Sequence, residues 1–222
     1  MHTQREDTPS GGTVIRPREL RRRLPFDVDS FEIVVVCTGN RFRSPIVASL
    51  LRQAAGDVAV DVQSTGTVDV GPVAALPEAV TAAHELGVDL RDHVARQVTP
   101  DAVTSADLVI AFERAHVAMC VIDLRVPRER VFTLPELADL LERIPPVAET
   151  DPVRAARLAV AAAHSVRMSD PWENRLAEIR DPLGQGTDVR AQIVAELHDA
   201  TRRLGERLFP ATPASIRRRG VG

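Results

Sequence analysis

A chain of 222 residues, 44% of them hydrophobic and with a formal charge of −3, can bury one full core and suits a single α/β domain with extensions better than two domains. All 28 basic residues are arginine, which excludes Schiff-base chemistry, a lysine-bound pyridoxal cofactor and the nucleotide loop ending in Gly-Lys-Ser/Thr. Residues 31–209 hold 19 Arg against 26 carboxylates, so the body is acidic and presents no broad positive face for nucleic acid. The local run Arg16, Arg18, Arg21, Arg22 and Arg23 reads as a solvated arm. Aromatic residues make up only 3% and Tyr is absent, so Leu, Val, Ile and Ala must fill the core. Cys37 and Cys120 are too distant in sequence to form a disulfide scaffold, so a reducing cytoplasm is expected. No run of 18 apolar residues occurs, and neither secretion nor a membrane span is indicated.

In chain order, residues 1–30 mix charged residues, Thr, Pro and Gly without a period and are expected to form a partly mobile extension. Phe31–Val36 is a β-branched run expected of a strand covered on both faces. From Ser44 to Ala55, Ile46, Val47, Leu50, Leu51 and Ala54 recur at helical spacing, with Ser44 as cap and Pro45 in the first turn. A second strand is predicted at Val58–Val62, closed by a turn at Ser64–Thr67, and a helix from about Pro77 to Leu86. Ala106–Phe112 reads as a third strand, Glu113–Val121 as a helix, Glu129–Leu134 as a fourth strand and Pro135 to about Arg143 as a further helix. Asp151-Pro152 starts an Ala-rich helix to about Val166, Arg167–Arg180 reads as loop, and a last helix starts near Thr187 with an apolar stripe from Val189 to Leu208. The Pro- and Arg-rich end, residues 210–222, is expected to be a frayed tail. Alternating strands and helices predict an α/β fold with a mostly parallel four-stranded sheet, covered on both faces and binding ligands at the strands' carboxyl ends.

The stretch Val34–Pro45 joins the first strand to the first helix through a loop bearing Cys37, Gly39, Asn40 and Arg43. Backbone N–H groups turned inward at a helix N-terminus create positive potential, which binds phosphate and favours a thiolate. Cys37 is then a candidate nucleophile, and the planar fork of Arg43 can grip two oxygens of a tetrahedral anion.

The sequence Cys37-Thr38-Gly39-Asn40-Arg41-Phe42-Arg43-Ser44-Pro45 resembles the active-site loop of low-molecular-weight protein tyrosine phosphatases. Ser64–Thr67, the segment from Gly87 to Arg96 with His93-Val94-Ala95-Arg96, Ala106–Val109 and Asp181-Pro182 resemble further segments of that family, so that residues 31–144 and 178–209 are covered. The resemblance implies a three-layer sandwich of the phosphotyrosine protein phosphatase I type over residues 31–209, with a helical insertion at about 144–178. It implies hydrolysis of protein phosphotyrosine through a cysteinyl-phosphate, without metal or cofactor. Cys37 would be the nucleophile, Arg43 and the loop Thr38–Phe42 would bind phosphate, and Asp181 would serve as general acid and then base. Asn40, Ser44 and His93 would form a supporting hydrogen-bond network. Asp170, followed by Trp172, is a rival acid, while Asp151 is better explained as a helix cap.

Three departures concern the pocket. Phe42 stands where many members have a second cysteine, Arg41 where a small or aliphatic residue is usual, and Leu183 where an aromatic residue often follows Asp-Pro. They leave open a phosphoarginine phosphatase, an arsenate reductase, for which only Cys120 remains as resolving thiol, and a catalytically silent phosphoprotein-binding module. The insertion is either a lid beside Asp181 or a solvent-facing elaboration. The other histidines, His116 among them, show no ligand spacing and are assigned surface or core roles. Oligomeric state is not legible.

Overall fold

Four short strands pair into one sheet: β1 (Phe31–Cys37), β3 (Leu108–Ala111) and β4 (Val131–Thr133), which are mostly apolar, and β2 (Val60–Gly66), which alternates Val60 and Val62 with polar residues before Ser64-Thr65-Gly66. The computed structural model describes residues 30–169 and 177–210; what was expected of residues 1–29, of Asp170 and Trp172, and of the tail from residue 211 lies outside the described residues. Every pairing is parallel, in the order β2-β1-β3-β4, with Cys37 opposite Gly66 and Val35 opposite Ile110. The strand β1, inside the sheet, is covered on both sides, as its apolar run from Ile33 to Cys37 requires.

Successive residues of a strand point to opposite faces, and the core divides accordingly. Ile33, Val35, Leu108, Ile110 and Phe132 pack with α1 (Arg43–Ala55), α5 (Leu134–Glu142), α6 (Pro152–Ser169) and α7 (Thr187–Leu208). Val34, Val36, Val109, Ala111 and Val131 pack on the other face with Val103 of α3 (Pro100–Thr104), Val117 of α4 (Arg114–Ala118) and Cys120. The remaining helix, α2 (Pro77–Glu85), contributes Ala79, Ala82 and Ala83 to the first layer. The helix α7 lies so close on α1 that a Cβ built on Gly205 would stand 2.8 Å from the Cβ of Ala54.

Several boundaries differ from expectation, each for a tertiary reason. The second strand runs on through Ser64-Thr65-Gly66, because register with β1 overrides turn-prone composition there. The first helix starts at Arg43 with Phe42 as N-cap and no side-chain cap; Ser44 lies inside it, and its hydroxyl is engaged elsewhere. After Ala118 the chain takes a π turn, Met119–Asp123, in place of a continuous helix. Arg167, expected in a loop, is the buried last turn of α6: it donates to Val131 O at 3.0 Å and Arg128 O at 2.8 Å and lies 4.1 Å over the Phe132 ring. Burial lowers its pKa to about 10, so it stays charged at neutral pH and clamps α6 to β4. Helix α6 is thus core on its Val153, Ala156, Val160 and Ala163 face, while Leu158 and Met168 face solvent.

Candidate active site

All the chemistry-bearing side chains meet at the carboxyl end of the sheet, where β1 runs into α1. Between them the carbonyls of Cys37 and Thr38 accept from Thr67 N at 2.8 Å and Val68 N at 2.9 Å, and those of Asn40 and Arg41 accept from His93 Nε2 at 2.7 Å and Leu76 N at 2.9 Å. A peptide's N–H points opposite its C=O. Tying these four carbonyls outward therefore turns the amides of Thr38, Gly39, Arg41 and Phe42 toward the concave side, a cradle for an oxyanion.

Asn40 makes that curvature possible. It takes a left-handed φ of 52° and is fully buried, with its amide donating to Ser44 Oγ at 2.9 Å and its oxygen accepting from Arg96 N at 2.9 Å. Gly66 is required beneath it, since a Cβ there would lie 2.8 Å from Thr38 O and 2.9 Å from Asn40 N. Because Asn40 O can only accept, His93 donates from Nε2, and burial, the largest influence, holds its pKa below the ordinary histidine value.

Cys37 Sγ is 3.0 Å from Ser44 Oγ, which also lies 3.2 Å from the carbonyl of Thr65. Ser44 accepts from Asn40 and has one hydrogen to give, so it serves Thr65 O when Cys37 is a thiol and can turn to the sulfur when Cys37 is a thiolate. The side chain of Phe42 is buried in the core, so what it offers the loop is its backbone amide. Arg41 does reach the rim, where its Nε donates to Ala74 O at 3.0 Å.

Arg43 is 1% exposed and wholly engaged at its terminal nitrogens. Nη1 pairs with Glu113 and donates to Ile179 O at 2.9 Å; Nη2 donates to Thr38 Oγ1 at 3.1 Å and pairs with Asp181. Its Cζ lies 5.5 Å from the Phe112 ring centroid. Asp181 accepts from Thr38 Oγ1 at 3.2 Å on Oδ2 and from Leu183 N at 2.9 Å on Oδ1. The Asp181 loop is anchored just upstream, where Ile179 N donates to Phe112 O at 2.9 Å and Thr133 Oγ1 to Ala177 O at 2.8 Å.

The structure therefore brings Cys37, Thr38, Asn40, Arg43, Ser44, His93 and Asp181 into one connected site. A family model described as low molecular weight phosphotyrosine protein phosphatase matches residues 32–143. The chain belongs to this family. Among the phosphatases it resembles, the low molecular weight protein-tyrosine-phosphatase Etp of Escherichia coli is 31% identical over 147 residues, covering 65% of this chain and 94% of that one. The protein-arginine-phosphatase of Bacillus subtilis is 28% identical over 179 residues, covering 80% of this chain and 96% of the relative. The solved structure of a YwlE mutant from Bacillus subtilis superposes with a TM-score of 0.58 at 26% identity, covering 80% of this chain and 98% of that one. The fold is accordingly that of this phosphatase family, a parallel four-stranded sheet between helices.

Two residues of this phosphatase site were not picked out from the sequence. Glu113 pairs with Arg43, and His116, assigned a surface or core role, is buried yet lies 3.1 Å from Thr38 Oγ1 through Nε2. Both follow the carboxyl end of β3, Glu113 as the extended residue before α4 and His116 within that helix. That position, where parallel sheets bind ligands, was the available signal.

Proposed function

We propose that the chain hydrolyses phosphotyrosine in proteins through a cysteinyl-phosphate. What carries this reading is the convergence on Thr38: the thiol-bearing residue precedes it, the inward amides begin with it, and its hydroxyl touches both Arg43 and Asp181. Cys37 attacks phosphorus in line while the amides of Thr38, Gly39, Arg41 and Phe42 and the Arg43 cation stabilise charge on the equatorial oxygens. Asp181 gives its proton to the departing phenolic oxygen. In the second step it takes a proton from water as the water's oxygen attacks phosphorus and the S–P bond breaks, returning the Cys37 thiolate. Asn40, Ser44 and His93 hold the loop's shape.

An aromatic substrate ring has apolar walls available. Val70 stands beside Gly39 and is partly exposed, and Leu183, next to the acid, is 69% exposed, so aliphatic side chains occupy both lips. The arsenate-reductase alternative is weakened by the position of Cys120, which packs on the opposite face of the sheet from Cys37 and whose thiol burial pushes up to about 11. Cytoplasmic residence is part of the same proposal, since Cys37 and Cys120 are both free thiols and a cysteine nucleophile must stay reduced. Among the described residues no helix is long and apolar enough to cross a membrane.

The test compares the native protein with Cys37→Ser and Asp181→Asn on phosphotyrosine and phosphoarginine peptides of one sequence. Faster release of phosphate from the tyrosine peptide, abolished in Cys37→Ser, supports the proposal. Preference for the arginine peptide would reassign the substrate, and absence of turnover with retained peptide binding would make the protein a binding module.

A further inference from the structure

We infer that His116 is a positioning residue for the acid, acting through Thr38 to occupy one carboxylate oxygen of Asp181 and leave Oδ1 as the oxygen that carries the transferred proton. The inference rests on the reading of Asp181 as general acid and deepens it.

A threonine hydroxyl has one hydrogen and two acceptor positions. Thr38 Oγ1 has three neighbours: Arg43 Nη2 at 3.1 Å, Asp181 Oδ2 at 3.2 Å and His116 Nε2 at 3.1 Å. Arg43 can only donate, and the Asp181 carboxylate can only accept, so the threonine's hydrogen points at Oδ2. His116 must then donate from Nε2, filling the second acceptor position and leaving the hydroxyl no other direction to turn. The ring's other nitrogen agrees: Nδ1 is buried without a hydrogen-bond partner among the described residues, which suits a bare lone pair better than an N–H. A neutral ring is also favoured by burial and by the adjacent Arg43 charge, which lower its pKa against the opposing pull of Glu113, Asp181 and Glu178.

The consequence falls on Asp181. Its Oδ2 accepts from both Thr38 and Arg43, which fills the two in-plane positions of that oxygen. Among the described residues Oδ1 accepts only from Leu183 N and keeps one position, on a side chain that is 38% exposed. Protonation on Oδ1 therefore disturbs none of the site's bonds, whereas protonation on Oδ2 would displace a donor. A histidine one turn beyond β3 thus decides which oxygen faces the leaving group, without touching substrate.

The experiment measures kcat/KM of the full chain on phenyl phosphate, whose leaving group needs the acid, and on 4-nitrophenyl phosphate, whose leaving group hardly does. His116→Leu is expected to lose about tenfold on the phenyl ester and less than about threefold on the nitrophenyl ester. His116→Gln, with an amide N–H that can reach Thr38, should recover most of the loss. Thr38→Val should reproduce His116→Leu, and the double variant should be no worse than Thr38→Val alone. Equal loss on both esters, or losses that multiply in the double variant, would reduce His116 to packing. Should His116→Leu not fold, Thr38→Val and His116→Gln decide on the same two esters, and equal loss in Thr38→Val overturns the inference. Asp181→Asn separates the two levels: if it leaves the preference between esters unchanged, the acid assignment fails; if it alters the preference while His116→Leu does not, only the positioning role fails.

Discussion

The loop that carries Cys37 and the loop that carries Asp181 face one another across Thr38, and they are held by different means. Around Cys37 four backbone carbonyls are tied outward, Asn40 is fully buried with both ends of its side chain bonded, and Gly66 supports the turn at backbone contact. Asp181 is partly exposed, and its Oδ2 is held by the side chains of Thr38 and Arg43, groups that also serve the phosphate cradle. In the proposed mechanism a rigid nucleophile side costs no reorganisation during reaction, whereas Asp181 as acid must approach and leave the departing oxygen. The division also explains why Arg43 is anchored at Nη1 by Glu113 and Ile179 O: with one edge fixed, the other can exchange partners.

Substitutions can break each side separately. The largest effect is expected from Cys37→Ser, which removes the nucleophile and should lower aryl phosphate turnover by at least about 10³-fold while inorganic phosphate still binds, measured by steady-state kinetics and calorimetry. Asp181→Asn should cost about 10²–10³-fold on phenyl phosphate and clearly less on the nitrophenyl ester, because the Cys37 side stays intact. Gly66→Ala attacks the rigid side without altering any reactive group. Its Cβ would meet Thr38 O at 2.8 Å, so we expect about 1–3 kcal/mol of destabilisation together with at least a roughly tenfold loss of kcat/KM, read by thermal melting and kinetics on one sample.

The smallest expected effect is on pH dependence. His116 is held neutral in the fold, so its pKa lies below its unfolded value of 6.5. Below that pH the unfolded chain binds the extra proton and the folded one does not. The stability contributed is therefore complete above about pH 6.5 and lost as pH falls toward the folded value. The melting temperature of the native protein should drop more steeply between about pH 7 and 5 than that of His116→Gln. Parallel curves would show that the ring is not neutral in the fold.

The contrast between the two sides also marks what the sequence discloses. The Cys37 side was legible because it is local: a β-branched strand, a Gly-Asn turn and an arginine lie within one short run. Asp181 was found from its place before the last helix, and the structure sets it beside Thr38. Of the two roles the sequence suggests for Ser44, helix cap and partner of Asn40, the hydroxyl takes the second, since the thiol and Asn40 engage it and no side chain caps the helix. Glu113 and His116 escaped notice because their partners, Arg43 and Thr38, are 70 and 78 residues distant and no local period connects them. Arg167 looked like a loop residue because a buried arginine needs carbonyls from β4 and its preceding turn, which sequence alone does not place. The helix α3 is only five residues long, too short for a periodic signal.

The central claim is that phosphate passes through the sulfur of Cys37 with Asp181 on the opposing loop. Its most direct test is to quench Asp181→Asn in acid during turnover of 4-nitrophenyl phosphate and map the phosphorylated peptide by mass spectrometry. The account predicts a phosphoryl group on Cys37, accumulated in the variant because hydrolysis of the S–P bond lacks its base, and absent when Cys37→Ser is added. A phosphoryl group on any other residue, or undiminished turnover in the double variant, would contradict it.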